Sequence, residues 1–227
     1  MSELTIERLI TVEEVKKHPL IKAYISKANE HLASMGYTEH GFRHAGLISK
    51  LVGDILTELD YSTRIIELGK IAGYIHDIGN VVNRHDHDQH SAIIAENLLR
   101  EMGMDYEEIA MVIGAIGNHD ENFGEPVNVI SAALIIADKS DVHYTRVRNK
   151  EFATFDIHDR VNYAAKESII KVNKYDKTIT LELEIDLEII SVIEYFEIFL
   201  TRMLMSRKAA ITLDCNFHLI INNTKLL

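Results

Sequence analysis

Apolar residues recur at helical spacing through the first two-thirds of the chain and at alternate positions near its end. Thr11 and Glu14 form the pattern of a capping box. Pro19 suits the first turn of a helix reaching about Met35, where Gly36 stops it. Leu47, Ile48, Leu51, Ile55, Leu56 and Leu59 make one helical stripe over residues 39–59. Asp60 or Ser62 caps a helix whose apolar face is Ile65, Ile66, Leu68, Ile71, Ala72 and Ile75. Further helices are predicted from about Asp88 to Met102, with Gly103 as the stop, and from the capping pattern "DYEE" at 105–108 through Ile116. Residues 127–149 read as one helix or two, broken near Ser140.

After about residue 165 the period changes. "SIIKVNKYDKTITLELEI" alternates apolar and polar positions about "KYDK", the pattern of a β-hairpin. A helix with Ile189, Ile190, Ile193, Phe196, Phe199, Leu200, Met203 and Leu204 on its apolar side follows, and "NFHLIINN" reads as a closing strand. The predicted fold is therefore mainly α: a helical body over residues 1–160 and a small α+β appendage of hairpin, helix and strand over 161–227. The apolar stripe at 189–204 is read as core or as the surface of a homodimer.

Composition narrows the function classes. Nearly half of the 227 residues are apolar, enough for a substantial core. A formal charge of −11 argues against a long nucleic-acid partner, which demands clustered Lys and Arg. The longest apolar run, "VISAALIIA", is far shorter than the ~20 residues a membrane helix needs. "MSELTIERLI" is too charged for a signal peptide, and Cys215 is alone, so the expected setting is a reducing cytoplasm.

Twelve histidines in so acidic a chain are the oddest feature of the composition. Three apolar helical runs end in His or Asp: at His76 and Asp77, at His119 and Asp120, and at Asp138. Buried charges are costly unless paired or coordinated, and a divalent cation gives the three ends one explanation. His44 on the second long helix is read as a further ligand. His40, His85 and His87 are read as solvated or supporting groups, with contact to a third ion or to substrate as the alternative, and "DIHDR" at 156–160 as a chance repeat of the dipeptide.

The order His44, His76–Asp77, His90, His119, Asp138 resembles the HD superfamily of metal-dependent phosphohydrolases. The matching segments are "RHAGLISKLV", "GYIHDIGN", "QHSAIIAENLL", "IGNHDE" and "LIIADKSDVHYTRVR", over residues 38–150. The resemblance implies an antiparallel helical body of HD type. His44, His76, Asp77 and Asp138 would hold a first divalent ion, and His90 and His119 a second, with Asp77 bridging them. Two such ions, about 3.5–4 Å apart, clamp the attacking and leaving oxygens of a phosphoryl displacement. The metal is left open among Mn, Fe, Mg, Ni, Co and Zn.

The implied activity is hydrolysis of a phosphate ester or anhydride on a phosphorylated, nucleotide-like small molecule. Asp77 and Lys139 are the expected catalytic residues, and Arg146 and Arg148 the expected phosphate binders. Many superfamily members carry Lys where Asn80 stands, and cyclic-dinucleotide phosphodiesterases carry His where Asp120 stands. Hydrolases of dinucleoside tetraphosphates share the ligand order and an "ADK" segment. Two other functions suit the same ligand set: di-iron oxygen chemistry, and a binding module without activity.

Overall fold

The computed structural model describes residues 9–227. Most of the leading segment read as no signal peptide lies outside them. The helices are α1 (Val12–Lys17), α2 (Pro19–Ser34), α3 (Phe42–Glu58), α4 (Thr63–Ile75), α5 (His87–Met102), α6 (Tyr106–Ile116), α7 (Val129–Ser140), α8 (Ile157–Ala164) and α9 (Val192–Thr212). The expected signals set most of their ends. The Thr11–Glu14 capping box opens α1, Ser62 caps α4, and Asp105 accepts from the amides of Glu107 and Glu108 at the start of α6. Gly36 and Gly103 follow α2 and α5 with positive φ.

Residues 127–149 resolve into α7 followed by a single 3-10 turn at Tyr144–Arg146, so the second predicted helix is not formed. Helix α8 falls on the "DIHDR" segment, where Asp156 caps it by accepting from Asp159. Polar residues dominate that stretch, so its apolar period was too weak to read.

The hairpin is present as β1 (Ala165–Asn173) and β2 (Thr178–Ile185), antiparallel with Ile170 opposite Leu181. Strand β3 (Asn216–Ile221) lies parallel to β2, with α9 as the crossover between them, and the short β4 (Thr224–Lys225) completes a sheet of order β1-β2-β3-β4. Ile179, Leu181, Leu183 and Ile185 of β2 and Phe217, Leu219 and Ile221 of β3 turn to one buried face, as period-two alternation requires.

The molecule is thus mainly α with a small C-terminal sheet. Helix α9 packs along α7, and β1 touches α3 and α7, so a single buried apolar cluster runs from the helical body into the appendage. That packing fixes α8 and α9 against the body beside the polar cluster described next. Among the described residues no helix is long and apolar enough to cross a membrane.

Candidate metal centre

Five helices bring one end each to the same buried point. His44 stands in the first turn of α3, His76 caps the C-terminus of α4, and Asp77 follows it into a 3-10 turn at Ile78–Val81. His87 opens α5, His119 follows the end of α6, and Asp138 sits in the last turn of α7. All four histidines are buried. Three of these five helix ends are C-terminal, and their dipoles add partial negative charge to a site for a cation.

Backbone carbonyls set the orientation of two rings. His76 Nδ1 donates to Gly73 O at 2.9 Å, and His119 Nδ1 donates to Ile116 O at 2.6 Å. A carbonyl only accepts, so in each ring the proton lies on Nδ1 and the Nε2 lone pair faces the centre. His44 is oriented in the same way by a carboxylate, with Nδ1 2.6 Å from Asp141 Oδ2. Asp141 is itself held by Arg43, at 2.8 Å, and by Arg146, which donates to its carbonyl at 2.7 Å. A carboxylate behind a ligating imidazole raises its basicity and fixes its ring.

Asp77 divides the cluster in two. Its Oδ2 lies 3.6 Å from His44 Nε2 and 3.6 Å from His76 Nε2, whereas its Oδ1 lies 3.2 Å from His87 Nε2 and 3.7 Å from His119 Nε2. Asp138 Oδ1 joins the first side, 3.3 Å from His44 Nε2 and 3.5 Å from His76 Nε2. Within each side two imidazole nitrogens stand 3.2 Å apart, His44 with His76 and His87 with His119. Ligand atoms about 2.0–2.2 Å from one metal ion are separated by roughly 3.0–3.5 Å in tetrahedral or octahedral geometry. The spacing therefore suits bound metal: His44, His76 and Asp77, or His76, His119 and Asp138, or Asp77, His87 and His119 could hold an ion.

Without a cation the charges must balance among themselves. Burial and the Arg146 charge act to lower the His44 pKa, but Asp138 and Asp141 outweigh them and push it up to about 9. Burial raises the Asp77 carboxyl, yet His76, His119 and His87 hold it well below the usual carboxylate range. Asp138 is likewise held well below that range against burial, chiefly by the neighbouring Lys139 charge. Two carboxylates kept ionised among buried imidazoles form a donor set for a hard or borderline divalent ion.

The structure departs from the sequence reading at His90. Its ring is outside the cluster, and among the described residues its buried Nδ1 has no hydrogen-bond partner. His87, read as a supporting or solvated group, stands there instead. The docking of α5 explains the exchange. The Gly79 amide donates to Ser91 Oγ at 2.7 Å, and a Cβ on Gly79 would lie only 2.3 Å from His87 O. This close approach fixes the rotation of the first turn of α5, so that position 87 and not position 90 faces Asp77.

The basic residues divide in a similar way. Lys139 is buried between Asp138 Oδ2 at 2.8 Å and Glu121 Oε2 at 2.6 Å. Glu121 in turn accepts from Arg202 Nε of α9 at 2.9 Å. Arg146 is buried, bonded to Asp141 and 2.9 Å from His40 Nε2. Arg148, expected to bind phosphate, is directed elsewhere: it donates to the carbonyl of Tyr37 at 3.0 Å and to the Asn29 side chain. Asn80 donates to Asp77 Oδ1 at 3.1 Å, while Arg84 reaches Asn80 Oδ1 at 3.3 Å. Sequence reasoning missed Asp141, Glu121, Arg84 and Arg202 as parts of the site. Asp141 could have been found from its place three residues beyond Asp138.

Comparison with known proteins gives distant likenesses. No protein-family model matches the chain. An uncharacterized protein of Methanocaldococcus jannaschii is 26% identical over 161 residues, 60% of this chain and 61% of that protein. Ribonuclease Y of Enterococcus faecalis is 31% identical over 102 residues, 45% of this chain and 18% of the relative. Ribonuclease Y of Streptococcus agalactiae is 26% identical over 119 residues, 52% of this chain and 21% of the relative. The chain thus spans about three-fifths of the length of the first relative and about a fifth of each ribonuclease Y. A solved structure titled a predicted HD superfamily hydrolase, from an uncultured Thermotogales bacterium, is 22% identical with a TM-score of 0.44, covering 59% of this chain and 75% of that one. The described residues form a mainly helical body with a small C-terminal sheet, and its buried His and Asp groups could hold a metal ion.

Proposed function

We propose that this protein is a metal-dependent hydrolase of a phosphate ester or anhydride on a small, nucleotide-like molecule. The observation that carries the reading is the division of Asp77, with one carboxylate oxygen toward His44 and His76 and the other toward His87 and His119. His44, His76, Asp77 and Asp138 would hold one divalent ion, and Asp77, His87 and His119 a second. Bound divalent ions supply charge neutralisation to phosphate oxygens and lower the pKa of water to near neutral. The match to segments of proteins named ribonuclease Y supports phosphodiester chemistry over oxygen chemistry.

The chain's own residues prepare the rest. Asp141 keeps His44 in the tautomer that turns Nε2 inward. Lys139 keeps Asp138 ionised and in place. Asn80 holds Asp77 so that its oxygens stay divided between the two sides. Arg84 and Arg202 bring guanidinium groups to the edge of the site, where they would meet phosphate oxygens.

The test is a chromatographic hydrolysis screen with manganese. Nucleotides, cyclic nucleotides, dinucleoside polyphosphates and sugar phosphates form the panel, with Asp77→Ala as control. Product from the parent protein alone establishes the reading. Silence across the panel from metal-loaded protein, with oxygen consumed instead, overturns it.

A further inference from the structure

A cavity of about 250 Å³ lies between the body and the appendage. Four basic residues in its wall are linked to the metal cluster, one directly and three through one or two intervening side chains. The His40 ring stands 5.3 Å from that of His44, and Arg146 is bonded to Asp141, which orients His44. Arg84 reaches Asn80, which holds Asp77, and Arg202 is paired with Glu121, which holds Lys139 beside Asp138. Only Nε of Arg202 is hydrogen-bonded among the described residues, which leaves its two terminal nitrogens to a ligand.

The opposite wall comes from α8 and has a different character. Asp159 and Asn162 line it. Asn162 is 5% exposed, and its Nδ2 donates to His158 O at 2.9 Å. Because a carbonyl can only accept, that bond fixes which way the amide points, and Oδ1 is the free end. Among the described residues, Asn162 Oδ1 is buried with no hydrogen-bond partner. A buried acceptor without a donor costs on the order of 1–3 kcal/mol, so Asn162, a residue of the cavity wall, carries an unmet acceptor that a turn of its side chain would offer to a ligand donor.

We infer that the cavity is the substrate pocket of the proposed hydrolase, that it takes a phosphorylated sugar or nucleoside, and that Asn162 selects it by accepting from a ligand hydroxyl. The phosphate lies at the end formed by Arg84, Arg202 and His40, beside the cluster. The hydroxylated part lies against α8, where Asn162 Oδ1 and the Asp159 carboxylate accept from it. At about 250 Å³ the cavity falls just below the 300–1,000 Å³ usual for small-ligand sites, so it suits a monophosphate. The inference rests on the phosphohydrolase reading for the chemistry, but the pocket's preference is separable from turnover.

The test uses the full chain loaded with manganese and two probes, ribose 5-phosphate and phenyl phosphate, which share a phosphate and differ in hydroxyl donors. Calorimetry gives their affinities and a phosphate-release assay their kcat/KM. The parent is expected to bind ribose 5-phosphate at least about tenfold more tightly, and Asn162→Leu to reduce that ratio about tenfold, the worth of one hydrogen bond. Arg202→Ala is expected to weaken both probes together. Equal affinity of the parent for the two probes, or an Asn162→Leu variant that keeps the ratio, overturns the inference. A binding preference that follows Asn162 without any hydrolysis leaves the pocket standing and sinks the hydrolase reading.

Discussion

His87 Nε2 lies 3.2 Å from Asp77 Oδ1, a contact made across the turn between α4 and α5, and under the proposed reading His87 would be a ligand of the second ion. Replacing His87 by Ala is expected to remove one bound metal ion per chain and to cut activity at least about a hundredfold. His90→Ala is expected to retain both ions. Elemental analysis of the two purified variants decides the matter: metal lost from the His90 variant and kept in the His87 variant would reverse the assignment.

Asp77 serves both sides of the cluster, so its loss has the widest reach. Asp77→Asn keeps the shape and removes the charge. It is expected to release both ions and abolish hydrolysis, while leaving the helical circular-dichroism signal in place. Retention of full metal content would show that Asp77 does not bridge.

Asp141 touches no metal position directly, yet it holds His44 at 2.6 Å. Asp141→Asn should weaken metal affinity by about 10–100-fold, the usual cost of losing the group behind a ligating histidine. Chelator competition measures it. An unchanged affinity would mean that the α3 backbone alone orients His44.

Metal binding should depend on pH with a known sign. His44 in the metal-free protein titrates at about 9 against an ordinary value of 6.5. The raised value means that its ion pairs stabilise the metal-free fold fully below about pH 6.5 and are lost as pH rises through about 9. A cation needs the neutral imidazole, so at neutral pH binding releases this proton, and affinity should climb about tenfold per pH unit up to about 9. Calorimetry in buffers of different ionisation enthalpy reports the proton directly. An affinity flat between about pH 7 and 9 would contradict the His44 assignment.

Gly79 should tolerate no side chain. A methyl there meets His87 O at 2.3 Å and Ser91 N at 2.4 Å, both backbone atoms that cannot swing away. Gly79→Ala is expected to cost about 3 kcal/mol in urea unfolding and to weaken metal binding by shifting His87. Gly46→Ala, in α3 with nothing within 4 Å of the added carbon, should instead stabilise by about 0.5–1 kcal/mol.

Much of this molecule is decided locally, and that part is legible in the sequence. Caps such as Thr11 and Ser62, stops such as Gly36 and Gly103, and the shift from helical to alternating periodicity near residue 165 report element type and extent because they depend on neighbours a few residues away. The costly polar residues at apolar helix ends, His76, Asp77, His119 and Asp138, pointed to a shared partner because local contacts offset only part of the cost of burying them.

What the sequence could not decide is the relative rotation and docking of those elements. His87 and His90 lie three residues apart in one helical turn, and only the packing of α5 against Gly79 turns the first toward Asp77. Arg146 and Arg148 read alike as phosphate binders, but tertiary structure spends one on Asp141 and the other on Tyr37 and Asn29. Arg202, more than sixty residues beyond Asp138, reaches the site only because α9 packs on α7. The types of ligand are a property of the chain, whereas which ligands meet is set by side-chain packing between elements far apart in sequence.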